Sequence, residues 1–366
     1  MEERCTRRDV FRVAGAGALA LARLAPAFSQ QLPETRLKFP LSPIVPIDRR
    51  STVSLVKQED RRKAVFEALS GIDSELRPAL QRKKYVLIKP NLTSVTNQLA
   101  STHADALRGI LDYLAPRFKG PVAIAESASG DTMAGYENFK YNGLVSEFRR
   151  QNVSLIDLND EAAFAPMGIM DADLHPTMIR IAKRLLDPDA FIIDACIPKT
   201  HNAVVMTGAV KNMVVGGTLR SGRKDRNWSD KPRFHVGAHQ MNYNMLLVAQ
   251  RMSPFWGATV FDGYEGMEGN GPVSGDPVPP RIAFASMDYI AADRVATELM
   301  GMDPTWVGYL QYCGQVGLGN YDIDKIDVRG ETIAALKKSY RPHPQVDLHL
   351  QWMAPLAGDS APGRRR

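Results

Sequence analysis

Short apolar runs alternate with segments of helical apolar spacing along most of the chain, and this pattern predicts the elements. Residues 52–58 ("TVSLVKQ") read as a strand, and 60–72 place apolar residues at helical spacing. Residues 83–92 ("KKYVLIKPNL") form a fully apolar run that ends in a polar turn. A helix over 104–118, a strand over 121–129, a helix over 135–151 and a strand over 153–160 follow. Repeated βα units with continuously apolar strands predict a parallel sheet covered by helices on both faces. Residues 177–186 read as an edge strand and 189–201 as another buried strand. Residues 235–252 read as a helix, 258–267 and 281–288 as strands, 289–302 as a helix capped by Asp288, and 326–330 as a last strand. The expected fold class is α/β: a mostly parallel, doubly wound, Rossmann-like sheet with inserted loops, in a single compact unit.

The two ends of the chain break the pattern. Arg7 and Arg8 precede a weakly apolar Ala/Gly/Leu stretch with small residues near Ala27 and Ser29. That arrangement resembles a twin-arginine export signal over 1–29. The stretch is too short and Gly-rich to make a good membrane span, so no stable span is expected after cleavage. The expected location is periplasmic or extracellular, with the twin-arginine machinery as a partner. Residues 30–52 form a Pro-rich arm, 53–335 the α/β domain, and 336–366 a C-terminal extension ending in a basic tail.

Composition sharpens this reading. The chain has 366 residues, 46 Lys+Arg against 40 Asp+Glu, and a formal charge of +6. Residues 1–29 carry five Arg and three acids, so their removal lowers the charge to +4. The last three residues are all Arg, which leaves the folded body close to neutral and gives no reason to expect a nucleic-acid partner. Two cysteines remain beyond the signal, Cys196 and Cys313, with no CxxC pattern. They read as one bridge or two buried thiols, and no iron–sulfur cluster is expected from this chain.

Candidate chemistry collects where apolar strands end. Lys89 and Asn91 follow one run, Glu126 and Ser127 a second, and Lys199, Thr200 and His201 a third. In an open α/β sheet, ligands bind outside the carboxyl ends of the strands, so the three clusters are expected to share one crevice. Lys211 and Asn212 follow inside a Met/Val/Gly-rich segment, where a lysine is costly to bury without a partner or an anionic ligand. His235 and His239 have the spacing of paired metal ligands on a helix, and Asp262 and Glu268 lie on a Gly-rich loop that could supply carboxylates. A basic loop holds Arg220, Arg223, Lys224, Arg226, Lys231 and Arg233 around Trp228, and reads as a solvated loop or a cationic lid.

Several of these motifs together resemble the DUF362 family, a domain of unknown function. They are "VLIKPNL", "AESASGDT", "FIIDACIPKTHNAVVMTGAVKNMVVGG", "VFDGYEGMEGNGPVSGDP" and "AADRVATELMG", spread in order over roughly 50–330. Many proteins resembling this one add a ferredoxin-like module with CxxCxxC runs, which this chain lacks.

The expected function is that of an exported enzyme acting on a small anionic substrate in the crevice, with a divalent metal compatible with the residues but unassigned. His201, Lys199, Lys211 and Glu126 are the catalytic candidates. Lys89, Asn91, Thr200 and Asn212 are the substrate-binding candidates, and His235, His239, Asp262 and Glu268 the metal candidates. The alternative is a non-catalytic anion- or cofactor-binding protein using the same crevice. Both predict that Lys199, His201, Lys211 and Asp262 line one pocket.

Overall fold

The computed structural model describes residues 41–44, 48–220 and 229–355, all within the compact unit Phe39–Arg366. The expected export signal, most of the Pro-rich arm, the loop residues 221–228 and the tail 356–366 lie outside the described residues.

Fourteen strands are described: β1 (Ser51–Lys57), β2 (Tyr85–Pro90), β3 (Val122–Glu126), β4 (Val153–Asp157), β5 (Phe164–Met170), β6 (Pro176–Ala182), β7 (Ala190–Cys196), β8 (Lys199–His201), β9 (Val205–Thr207), β10 (Trp256–Gly263), β11 (Gly266–Glu268), β12 (Asp276–Val278), β13 (Ile282–Ser286) and β14 (Ile326–Gly330). Eight of them form the main sheet in the order β14-β1-β13-β10-β7-β2-β3-β4. Within it only β13 runs antiparallel, against both β1 and β10. The central strands β2 and β7 are buried along almost their whole length, as expected for a parallel sheet covered on both faces.

Each face of the sheet has its own apolar core. Helices Arg61–Ser70, Asp73–Leu80 and Ala104–Leu114 close one face, with Val65, Leu69, Leu107 and Ile110 packing on Val86, Ile88, Ile124 and Ile193. Helices Ala209–Val214, Ala238–Met252, Tyr289–Leu299 and Gly308–Gln315 close the other, around Met213, Met245, Val295, Leu87 and Ile192. The doubly wound α/β class expected from the pattern is the one found. Asp288 caps its helix as expected, accepting from the backbone N–H groups of Ile290 and Ala291 at 2.9 and 3.0 Å.

Local differences have local causes. The helix expected over 135–151 is two short helices, Thr132–Asn138 and Asn142–Glu147, separated by Lys140 at φ 62°. The strand expected at the sheet edge pairs with β5 in a separate hairpin instead. The helix expected from His235 starts at Ala238, because Gly237 sits at φ 150°, outside helical space. Cys196 and Cys313 are two buried free thiols. Finally, the C-terminal extension folds back onto the domain: Tyr340, His343 and His349 are buried, and the Trp352 indole N–H donates to the Trp306 carbonyl at 2.9 Å.

Candidate active site

Strands β2, β3 and β7 lie side by side, so their carboxyl ends bring Lys89, Glu126 and Asp194 together. The helix Ala209–Val214 adds Lys211 and Asn212 from the covering layer. Lys89 Nζ meets both Glu126 carboxylate oxygens at 3.1 and 3.0 Å and also donates to Asn212 Oδ1 at 3.2 Å and the Pro90 carbonyl at 3.3 Å. The Ser127 backbone N–H donates to Glu126 at 2.7 Å. Asn212 Nδ2 donates to Asp194 Oδ1 at 2.6 Å, and Asn91 Nδ2 donates to Asn212 Oδ1 at 2.8 Å. Thr259 holds the second Asp194 oxygen at 3.0 Å. Burial pushes the Asp194 carboxyl up to about 7, opposed chiefly by the Lys89 charge.

Lys199 is equally occupied. Its Nζ donates to Asn91 Oδ1 at 2.7 Å, the Ala100 carbonyl at 2.7 Å and Thr93 Oγ1 at 3.1 Å, which uses all three ammonium protons. Burial, then the nearby Lys211, pushes its pKa down, while these acceptors hold the protons in place. Thr200 Oγ1 donates to the Gly269 carbonyl at 3.0 Å and ties β8 to the loop after β11. Thus Lys89, Asn91, Asn212, Lys199 and Thr200 form an internally satisfied frame.

One glycine makes that frame possible. A Cβ at Gly216 would lie 2.5 Å from Lys89 Nζ and 2.1 Å from the Asn212 carbonyl oxygen, so the backbone can approach the lysine only without a side chain.

Against the frame lies a cavity of about 50 Å³, lined by Asn91, Thr93, Glu126, Thr207, Lys211 and Lys231 among others. That is several times the space one water needs. Two of its groups differ from everything around them. Lys211 is buried, and among the described residues its Nζ has neither a hydrogen bond nor an ion pair; burial alone pushes its pKa down to about 7. Thr207 Oγ1 is buried without a hydrogen-bond partner among the described residues. Thr207 sits opposite Lys199 in the β8–β9 pairing. Lys231, also in the lining, donates to the Val215 and Gly216 carbonyls at 2.8 and 3.1 Å, and burial pushes it down to about 7 against the pull of Glu126.

His201 is buried and does not line this cavity. Its Nδ1 accepts the Ala203 backbone N–H at 2.9 Å, which leaves the proton of the neutral ring on Nε2. Its ring stacks on His235 with centroids 6.0 Å apart. Burial, then Lys211, holds both imidazoles well below their ordinary range, with His235 near 4. A second cavity of about 260 Å³ opens beside them, with His235, His349 and Met241 in its walls.

The four metal candidates do not converge. His235 precedes the helix, and His239 is turned to the Ala354 carbonyl at 2.7 Å, so the expected shared face does not exist. Asp262 pairs with Arg61 at 3.2 Å, and Glu268 with Arg341 at 3.5 Å. Of the four residues expected to line one pocket, Lys211 alone lines this cavity; Lys199, His201 and Asp262 do not. Among the described residues, the group able to offer three metal-ligand atoms together is Asp171, Asp173 and His175. It sits in the β5–β6 turn, where Asp171 Oδ1 already accepts the backbone N–H groups of Asp173 and His175.

Sequence reasoning missed Asp194, Thr207 and His349 entirely and read Lys231 only as part of a basic loop. A carboxylate inside the apolar run "FIIDAC" was a usable signal for Asp194. Nothing in the pattern marked Thr207, whose importance comes from having no partner.

The profile of the domain of unknown function DUF362 matches residues 86–298, more than half of the chain. The chain belongs to the DUF362 family. That span contains Lys89, Glu126, Asp194, Lys199, Thr207, Lys211 and Lys231, so the frame and the cavity both fall inside the family domain. A thylakoid-associated protein of Synechocystis is 24% identical over 260 residues, covering 70% of this DUF362 chain and 74% of its own. Among solved structures, the lactate racemase apoprotein of Thermoanaerobacterium thermosaccharolyticum aligns over 66% of this chain at TM-score 0.40 and 14% identity. A protein of Thermotoga maritima aligns over 58% at TM-score 0.38 and 12% identity. The chain spans about half of each of these structures, 54% and 52%.

Proposed function

We propose that this DUF362 protein is an enzyme acting on a small anion held in the cavity at the carboxyl ends of β2 and β3. The observation that carries this reading is Lys211: a buried ammonium that has no counter-ion among the described residues, lining a cavity with the Thr207 hydroxyl, which has no partner among them either. Burying a charge unpaired is costly, and an anion in the cavity would remove that cost. Lys231, also in the cavity lining, supplies a second positive charge, and Thr207 a hydrogen-bond donor.

Catalysis rather than simple binding is favoured by the protonation states. Two lysines near 7 can each hold or release a proton at neutral pH, whereas a binding site would need only permanent cations. In this reading Lys211 stabilises negative charge or transfers a proton, while Lys89, Lys199, Asn91 and Asn212 act as positioning residues. No step is assigned to a metal.

Calorimetric titration with acetate, phosphate and short 2-oxo acids at pH 6.5 tests the site. At least one should bind the wild type and lose most of its affinity in Lys211→Met. Equal binding by both proteins would remove the proposal. We also propose that the protein acts after twin-arginine export, on the strength of Arg7 and Arg8 before the Ala/Gly/Leu stretch. Export of a reporter fused to residues 1–29 should then fail when both arginines become lysine. No helix among the described residues is long and apolar enough to cross a membrane.

A further inference from the structure

We infer that Lys211 is a covalent site, and that the anion it takes carries a carbonyl: a two- or three-carbon 2-oxo acid or aldehyde acid, captured as an imine. The inference rests on the proposed anion site and names its substrate class.

Four lysines crowd this end of the sheet, and their geometry separates them. Lys89 Nζ has four acceptor atoms within 3.3 Å, Lys199 has three and Lys231 has two backbone carbonyls. Lys89 and Lys199 have all their protons committed and Lys231 two of its three, so each would have to break hydrogen bonds to act as a nucleophile. Lys211 has none to break among the described residues, and it lines the cavity. A desolvated amine among other cations is the arrangement that keeps a lysine nucleophilic near neutral pH. Burial brings Lys211 to about 7, and burial, with the Lys211 charge adding to it, pushes down the neighbouring Lys199 and Lys231.

The bookkeeping closes without a redox partner. The Nζ lone pair attacks the carbonyl carbon, and the carbonyl π electrons take up a proton to give a carbinolamine. Loss of the new hydroxyl as water, with one Nζ proton, leaves the imine; amine plus carbonyl compound becomes imine plus water. The Thr207 hydroxyl can donate to the carbonyl oxygen, and Lys231 can hold the carboxylate. The cavity of about 50 Å³ restricts the acid to a few heavy atoms.

Borohydride trapping tests the inference on the full-length protein. Incubation with glyoxylate or pyruvate at pH 7.5, followed by reduction, should give one adduct by intact mass, and peptide mapping should place it on Lys211. Excess acetate, which has the charge but no carbonyl, should slow the trapping. Lys211→Met should lose the single adduct. Because mapping is done on the wild type, the test stands even where that variant folds poorly. Adducts spread over exposed lysines, or none, would overturn the imine. Acetate and pyruvate binding equally with no adduct would overturn the imine while leaving the anion site intact. Failure of every anion to bind would remove both.

Discussion

Lys89 and Lys211 are both buried lysines at the same end of the sheet, yet the fold treats them in opposite ways. Lys89 is fully enclosed and held by Glu126, Asn212 and a backbone carbonyl. Lys211 is nearly as buried, at 8% exposure, and has no hydrogen-bond or ion-pair partner among the described residues. Burial alone therefore does not mark a functional lysine. A satisfied buried charge builds the scaffold, while one beside a cavity with no partner among the described residues is the candidate for a ligand.

The contrast is open to attack by mutation, beginning with the frame. Lys89→Met leaves the Glu126 carboxylate buried and unpaired and should cost about 3–5 kcal/mol of stability, read from the chemical-denaturation midpoint. Gly216→Ala drives a methyl group into Lys89 and the Asn212 carbonyl and should cost about 1–3 kcal/mol by the same measurement. If either variant is as stable as the wild type, Lys89 is not the scaffold element described here.

The pH dependence of stability sharpens the other side. Lys211 and Lys231 titrate near 7 when folded, against about 10.4 when unfolded. The unfolded chain therefore binds more protons between those values, and these two residues make stability rise with pH from about 7 to about 10. Asp194 and Asp293 have the opposite sense: raised to about 7 by burial, they make stability fall as pH climbs from about 4 to about 7. Denaturation midpoints measured across this range should show the rise above pH 7 shallower in Lys211→Met. The smallest effect is expected from Thr207→Val. Replacing an unpartnered hydroxyl with a methyl of similar shape should leave stability within about 0.5 kcal/mol while weakening anion binding, as read by calorimetry.

The sequence made the frame legible because its signal is local. An apolar run that ends abruptly in Lys, Glu or His marks a central strand and the end of it where ligands collect. Lys89, Glu126 and Lys199 were found in that way. Pairing across the fold was not legible. Nothing near Asp262 or Glu268 indicates that Arg61 and Arg341 will claim them. His235 and His239 have the correct spacing for a shared helix face, but one glycine at φ 150° starts the helix too late. The docking of the C-terminal extension was not legible because its buried residues, Tyr340, His343 and His349, are too scattered to form a periodic pattern. Thr207 is the extreme case, since a missing partner has no sequence signature.

The stability of Lys211→Met against that of Lys89→Met, measured by denaturant unfolding at pH 7 without added ligand, tests the central contrast without knowledge of the substrate. Lys211→Met is expected to be at least as stable as the wild type, because it removes a buried charge that nothing among the described residues compensates, while Lys89→Met is expected to be clearly destabilised. A loss of several kcal/mol in Lys211→Met, matching that in Lys89→Met, would show that Lys211 is held by the protein itself and would contradict the assignment of the cavity as a ligand site.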